Sequence, residues 1–238
     1  MKKVNVGCGP NLFLDGWINL DREDMASYIA FLRTAKDLSA MPAWQARLAK
    51  RLQAGEDLAF RVHDLRNGLP FATSSVDRIY LGQIIEHLNP VYEAPQLLAE
   101  CYRVLRPGGI LRIATPDLDR LVVAYINTLG EKEHGPTQPP NQSLEDFAVE
   151  QPPLYRAAPA SAKLSYILFG AMGPNSTWDH YEGHMHCFGK DAIERLLRDA
   201  GFEKIRFYAP ESPRSDDPAL AEVIDNGLSH SLIVEATR

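Results

Sequence analysis

The chain opens with a short apolar strand pattern, Lys3–Val6, that runs directly into a turn containing Gly7 and Gly9. A second strand pattern covers residues 17–20 and ends on the carboxylate of Asp21. Glycines let a ligand approach the backbone where a Cβ would block it, and a carboxylate at a strand tip can hold two ribose hydroxyls. This arrangement predicts a nucleoside-cofactor pocket at the carboxyl edge of a parallel sheet.

Strand and helix patterns alternate along the rest of the chain, which predicts an α/β fold around a mostly parallel sheet. The stretch between Pro10 and Trp17 is too short for a full crossover helix, so we expect a turn or a single helical turn there. Further strands are predicted over residues 58–62, 75–81, 110–114, 202–208 and 231–236. Helices are predicted over residues 25–36, 42–54, 90–105, 118–129, 161–171 and 190–200.

Prolines crowd residues 130–175, where the periodicity predicts one helix, near residues 161–171. Insertions of this kind often form lids or substrate-binding loops. We therefore expect one domain over residues 1–238, with residues 130–189 forming a Pro-rich cap on the substrate side.

Composition narrows the class of protein. The 238 residues carry a formal net charge of -6, which argues against the basic face of a nucleic-acid-binding protein. No apolar run approaches the roughly 20 residues that cross a bilayer. The three cysteines show no metal-ligand spacing, as is typical of reduced cytosolic thiols. These features predict a cytoplasmic protein with neither a nucleic-acid nor a membrane partner.

Several short motifs follow the glycine turn in a fixed order. They are Asp64-Leu65 after the third strand, residues 76–80, Glu86-His87-Leu88, residues 98–109 and residues 196–202. In this order the chain resembles the class I S-adenosylmethionine-dependent methyltransferases, in the small-molecule, methyltransferase type 11-like branch. The resemblance covers nearly the whole chain outside the Pro-rich insertion, and its motifs concern the cofactor more than the acceptor.

The resemblance implies a Rossmann-like, doubly wound, seven-stranded, mostly parallel sheet with an antiparallel last strand. It also implies S-adenosyl-L-methionine as the cofactor. Gly7 and Gly9 would let the loop backbone lie against the methionine part of that cofactor. Asp21 would accept hydrogen bonds from the ribose hydroxyls.

The same resemblance assigns roles further along the chain. Asp64 would accept from the adenine amino group, and Leu65 would offer a backbone amide and apolar cover. Gly82 and Gln83 would face the methionine end of the pocket. Alternatively, Asp21 and Asp64 are helix caps or turn residues.

A nicotinamide dehydrogenase is the main structural rival. Its fingerprint requires Gly-x-Gly-x-x-Gly opening a full helix, with an acidic residue about twenty positions further on. Here the third glycine is absent and Asp21 comes too early. The sequence therefore disfavours a dehydrogenase.

Transfer to a hydroxyl also requires a group that takes up the acceptor's proton. The candidates for this catalytic role are the imidazoles of His87, His180, His184 and His186, with Glu86 and Asp179 behind them; among the later three, His180 and His184 are favoured for the acceptor side. In ubiquinone-pathway O-methyltransferases a Glu-x-x-Glu-His stretch at this place is associated with a divalent metal. This chain has Gln83 where the first carboxylate stands, and an amide binds cations less well.

The sequence therefore predicts no metal at Glu86-His87. The second cluster, residues 178–188, has three open interpretations: polar residues of the acceptor site or of the fold, a catalytic base, or a metal site.

These features together predict methyl transfer to an oxygen or nitrogen of a small-molecule acceptor, such as a sugar-like or secondary metabolite. Two alternatives stay open: a catalytically silent cofactor-binding module, and a methyltransferase that acts on nucleic acid or protein. A basic or extended groove near the cap would distinguish the last of these.

Overall fold

The computed structural model describes residues 1–134, 144, 159–169, 183–209, 214–221, 223 and 231–238. The strands are β1 (Lys3–Val6), β2 (Trp17–Asp21), β3 (Ala59–Val62), β4 (Val76–Gly82), β5 (Leu105–Pro116), β6 (Glu203–Tyr208) and β7 (Ser231–Thr237). The helices are α1 (Ala26–Thr34), α2 (Ala43–Gln53), α3 (Glu93–Val104), α4 (Leu118–His134), α5 (Ala160–Phe169) and α6 (Lys190–Asp199). Short 3₁₀ turns cover Leu65–Asn67 and Ile85–His87.

Within the described residues the strands form one sheet of seven, in the order β3-β2-β1-β4-β5-β7-β6. The pairs from β3 through β5 are parallel, whereas β7 runs antiparallel to both β5 and β6. This confirms the predicted doubly wound, Rossmann-like sheet with its antiparallel last strand. The strand order reverses between β1 and β4, and such a reversal opens a ligand crevice at the carboxyl ends of the strands.

The first connection, residues 7–16, is fully described and contains no helix, as its length predicts. Two asparagine side chains satisfy its backbone instead. The Asn19 amide bonds both the N–H and the C=O of Phe13, each at 2.8 Å. The Asn5 amide donates to the Asn11 carbonyl at 2.8 Å and to Asn19 Oδ1 at 3.0 Å. Both asparagines are buried, so these bonds hold the connection against the sheet without a crossover helix.

β5 is longer than the sequence predicts, starting at Leu105 rather than residue 110. Its pairing with β4 skips residues: Val76 lies opposite Leu105, and Arg78 lies opposite Ile110. Residues 106–109 therefore bulge out of a strand that continues on both sides. The Pro-Gly-Gly stretch that predicts a turn forms this bulge. The helix before it, α3, starts three residues later than predicted, and α4 extends five residues further.

Helices cover the sheet in two groups that bear on the site. The largest apolar cluster joins α3 and α6 to the inner strands, through residues such as Leu97, Leu98 and Ile193. A separate cluster joins α1 and α2 to the glycine loop, where Cys8 packs with Leu12 and other buried side chains. The loop after β1 is thus backed by two helices.

Part of the predicted cap lies within the described residues. Leu144, Ala160 and Cys187 are buried against Leu121 and Ala124 of α4. Most of residues 130–189, including His180, falls outside the described part, so the cap stays a prediction. In the described ranges we find no helix with the length and apolar character needed to cross a bilayer.

Candidate functional site

Gly7 and Gly9 both adopt positive φ angles, of 64° and 47°. A Cβ added at Gly7 would lie 2.5 Å from Cγ1 of Ile84, whereas one at Gly9 would meet no described atom within 4 Å. Gly7 is therefore required by packing as well as by its backbone conformation. Gly9 leaves open space beside the backbone, which is the room that a ligand needs.

Asp21 tethers this loop from the tip of β2. Its Oδ2 accepts a hydrogen bond from the Gly9 amide at 2.7 Å, and its Oδ1 accepts one from the Glu23 amide at 3.0 Å. The Cys8 amide adds a third bond, to the Leu20 carbonyl at 3.0 Å. Each carboxylate oxygen keeps further acceptor capacity, so Asp21 can orient the loop and still receive ligand hydroxyls.

Cys8 lies between the two glycines and is buried. Burial, with the nearby Asp21 charge as a second cause, raises the pKa of its thiol well above the ordinary range. A buried neutral thiol is a poor nucleophile, so Cys8 acts as a packing residue.

Asp64 caps the 3₁₀ turn Leu65–Asn67 and is paired with Arg66. Its Oδ1 accepts from the Arg66 amide at 3.0 Å, and the Arg66 guanidinium bonds both carboxylate oxygens, the shortest distance being 2.5 Å. The hydrogen bond from Arg66 is the largest cause that lowers the pKa of Asp64 to about 2. The turn-residue interpretation therefore applies here, and an adenine amino group would compete with Arg66. Leu65 packs against the main core.

Replacing Arg66 with alanine should strengthen adenosyl-ligand binding by about two- to fivefold, if Asp64 contacts the adenine. The gain comes from freeing a partly exposed carboxylate from its ion pair. Calorimetric titration with S-adenosylhomocysteine measures it, with Arg195→Ala, which removes an exposed ion pair of α6, as the control. A loss of affinity in Arg66→Ala would contradict the adenine role of Asp64.

Gly82 and Gln83 end β4 at the crevice. A Cβ on Gly82 would lie 2.5 Å from the Tyr80 ring, so this position also requires glycine. Gln83 has a φ of 55°, which is uncommon for a residue with a side chain. The backbone amide of Gln83 donates to the Ala114 carbonyl at 2.8 Å. Its side-chain Nε2 donates to Oγ of Ser231 at 3.2 Å. Strain held by such contacts is typical of ligand-binding positions.

Glu86 is fully buried just beyond this edge. Its Oε2 accepts from the Thr115 hydroxyl at 3.0 Å, and its backbone carbonyl accepts from the amides of Met185 and His186 at 2.8 and 3.2 Å. These backbone bonds hold the segment before α6 against the end of β4. Burial raises the pKa of Glu86 to about 8.

His87 and His184 meet beside Glu86. Their ring centroids are 5.0 Å apart at an interplanar angle of 80°. Burial is the largest cause that lowers the pKa of His87 to about 4, and the neighbouring His184 adds to it. His87 is therefore a neutral imidazole at pH 7.

The structure thus brings the sequence candidates together in two groups. Gly7, Gly9 and Asp21 form one group at the carboxyl ends of β1 and β2, where Gly7 approaches Ile84 beyond β4. His87 and His184 form the other with Glu86, while His180 lies outside the described residues. Sequence reasoning missed the positioning contacts of Ile84, Thr115 and Ser231. Thr115 follows a predicted strand at its carboxyl end and could have been found; the sequence around the other two contains no such signal.

Comparison with known proteins matches the amino-terminal part of the chain to a family. Residues 4–113 match the family described as a methyltransferase domain. A probable S-adenosylmethionine-dependent methyltransferase of Mycolicibacterium smegmatis is 43% identical over 58 residues, 23% of this chain and 21% of that protein. A ubiquinone/menaquinone biosynthesis C-methyltransferase of Desulfotalea psychrophila is 31% identical over 80 residues, 33% of this chain and 31% of that protein. The chain thus spans less than a third of the length of these curated relatives.

Among solved structures, a SAM-dependent methyltransferase from Archaeoglobus fulgidus has a TM-score of 0.48 and 13% identity, covering 100% of this chain and 86% of that chain. One from Mesorhizobium loti has a TM-score of 0.46 and 18% identity, covering 100% and 90%. Neither likeness bears on the acceptor.

Proposed function

We propose that the protein transfers the methyl group of S-adenosylmethionine to a small-molecule acceptor, because residues 4–113 match the methyltransferase domain family that the motifs resemble. The observation that carries this proposal is the glycine loop after β1. It is open beside Gly9 and tethered to the carboxylate of Asp21. A loop of this shape at the reversal of strand order can take the ribose and methionine parts of one ligand.

Different residues of the crevice bind different parts of the cofactor. Asp21 receives the ribose hydroxyls through charge-assisted hydrogen bonds, and the loop backbone at Gly9 lies beside the methionine part. Gly82 and Gln83, at the end of β4, close the methionine side. Asp64 and Leu65 flank the adenine after the ion pair between Arg66 and the Asp64 carboxylate has opened.

Transfer from the sulfonium is an in-line displacement. A lone pair of the acceptor oxygen or nitrogen forms a bond to the methyl carbon. The bound cofactor would supply the methyl group as its carbon–sulfur bond breaks with the electron pair left on sulfur, and the acceptor's proton would pass to solvent. The protein's main contribution is alignment, which can supply roughly 7–11 kcal/mol. We assign orientation of the acceptor to His87 and His184, in the group beyond the end of β4.

The class of acceptor rests on charge. A net charge of -6 is unfavourable for a polyanionic partner, which supports a small molecule, such as a sugar-like or secondary metabolite, over nucleic acid. Methylation of oxygen or nitrogen fits an acceptor that presents a polar atom to two imidazoles.

The first test is a calorimetric titration of the full chain with S-adenosylmethionine, S-adenosylhomocysteine and NAD. Micromolar binding of the two adenosyl ligands without NAD binding supports the proposal. A screen of hydroxylated and amino acceptors then follows release of S-adenosylhomocysteine. Binding of NAD alone, or of none of the three, would overturn it. Cofactor binding with no turnover on any acceptor would favour the silent module.

A further inference from the structure

Three side chains with metal-binding atoms converge beyond the carboxyl end of β4. Glu86 and His87 come from the 3₁₀ turn that follows this strand, and His184 comes from the segment that precedes α6. Each offers one ligand atom, and the three atoms lie within 4.8 Å of one another. Residues so distant in sequence meet because the Glu86 carbonyl holds the amides of Met185 and His186.

Two of these side chains each keep a buried atom that has no hydrogen-bond partner among the described residues. The Thr115 hydroxyl binds Oε2 of Glu86, while Oε1 is buried with no hydrogen-bond partner among the described residues. Nδ1 of His87 is likewise buried and makes no hydrogen bond to a described residue. Buried donor and acceptor atoms without partners are uncommon, and a bound ion would satisfy both of these.

We propose that Glu86, His87 and His184 bind a divalent transition-metal ion, for which zinc is the reference. Two imidazoles and one carboxylate suit zinc and its neighbours, whereas magnesium and calcium prefer ligand sets made of oxygen alone. Three protein ligands also leave a coordination position open, as in catalytic rather than structural zinc sites. Gln83 is not needed in this donor set, because His184 supplies the third ligand.

Metal binding requires a small contraction of the cluster. Zinc bonds of about 2.1 Å place the donor atoms of a tetrahedral site roughly 3.4 Å apart. His87 and His184 are only partly buried and can move inward, while Glu86 is fixed by burial and by Thr115. The Glu86 carboxylate therefore fixes the position of the ion, and the two imidazoles move toward it on binding.

The ion would have a defined use, which rests on the proposed function. At its open position the ion would make a coordinated acceptor hydroxyl more acidic than it is in water. The acceptor proton would then pass to solvent as the oxygen attacks the methyl carbon. An oxygen acceptor is thereby favoured over nitrogen.

The test is a zinc titration of the chelator-treated full chain, followed calorimetrically, with magnesium as the comparison ion. We expect zinc to bind with one ion per chain and magnesium to bind much more weakly. His184→Ala, His87→Ala and Glu86→Gln should each weaken zinc binding by at least about tenfold. The matched control is His186→Ala, which removes an exposed imidazole two residues from His184 and should leave zinc binding unchanged.

Cobalt provides a second measurement that does not depend on a variant. The visible spectrum of the cobalt-loaded protein should indicate four or five nitrogen and oxygen ligands, and it should persist in Cys187→Ser. Absence of zinc binding, equal binding in His184→Ala, or a thiolate band that is lost in Cys187→Ser would each overturn the metal site. S-adenosylhomocysteine binding is measured on the same samples. Its absence would overturn the proposed function and leave the metal result standing.

Discussion

Replacing Gly7 with alanine should destabilise the protein by about 2–5 kcal/mol and abolish adenosyl-ligand binding. Two effects add at this position. The backbone has a φ of 64°, and the new Cβ would lie 2.5 Å from Cγ1 of Ile84. Ile84 directly follows Gln83, so any shift that relieves the clash also disturbs the end of β4. Urea denaturation followed by circular dichroism measures the first effect, and calorimetry with S-adenosylhomocysteine measures the second.

Two further variants separate strain from packing. Gly9→Ala has a similar backbone conformation but meets no described atom within 4 Å, so its stability should fall by only about 1–2 kcal/mol. In the Gly7→Ala background, Ile84→Ala should recover part of the lost stability because it removes the nearest atoms. If Gly7→Ala and Gly9→Ala are equally stable, the contact with Ile84 does not matter.

Replacing Asp21 with alanine should weaken S-adenosylhomocysteine binding by at least about tenfold. The substitution removes a charged acceptor for the ribose and also releases the Gly9 amide, which lies 2.7 Å from Oδ2. Asp21→Asn distinguishes the two causes, because it keeps an oxygen for Gly9 but loses the charge. We expect its affinity to fall between those of the native protein and Asp21→Ala. Calorimetric titration provides the values.

Asp24→Ala is the matched control for Asp21. The Asp24 carboxylate accepts a hydrogen bond from the Ala26 amide at 2.9 Å in a turn just beyond β2. Its removal changes the net charge by the same amount as Asp21→Ala but leaves the glycine loop intact. Its affinity should equal that of the native protein. Unchanged affinity in Asp21→Ala would remove the ribose assignment, and equal losses in both variants would indicate a nonspecific charge effect.

Much of the fold is readable from the sequence because local signals and the sheet agree. The strand pattern at Lys3–Val6 and the short gap to Trp17 predict a connection without a helix, which the structure confirms. The predicted start of β5 lies five residues too late, for a physical reason. Pro107 and the glycines beside it are turn residues, but pairing with β4 resumes on both sides of them. Pairing between distant strands overrides the local preference.

The site is less readable, because its contacts join distant residues. The role of Asp21 can be predicted because it ends a strand pattern. Its hydrogen bond to Gly9 arises because β2 lies beside β1 in the sheet. The pairing of Asp64 with Arg66 could have been predicted, since only one residue separates them. The meeting of His184 with His87 could not, because it depends on backbone bonds to the Glu86 carbonyl. These bonds have no sequence signature.

The buried asparagines that hold the first connection also affect how a ligand should bind. Asn5 and Asn19 anchor residues 11–13 from one side, and Asp21 anchors Gly9 from the other. The loop is therefore organised before any ligand arrives, and little conformational entropy remains to be lost on association. When the competent conformation dominates the free protein, its population does not reduce the apparent affinity. Differences in affinity between adenosyl ligands should then appear in their residence times, while their association rates stay similar.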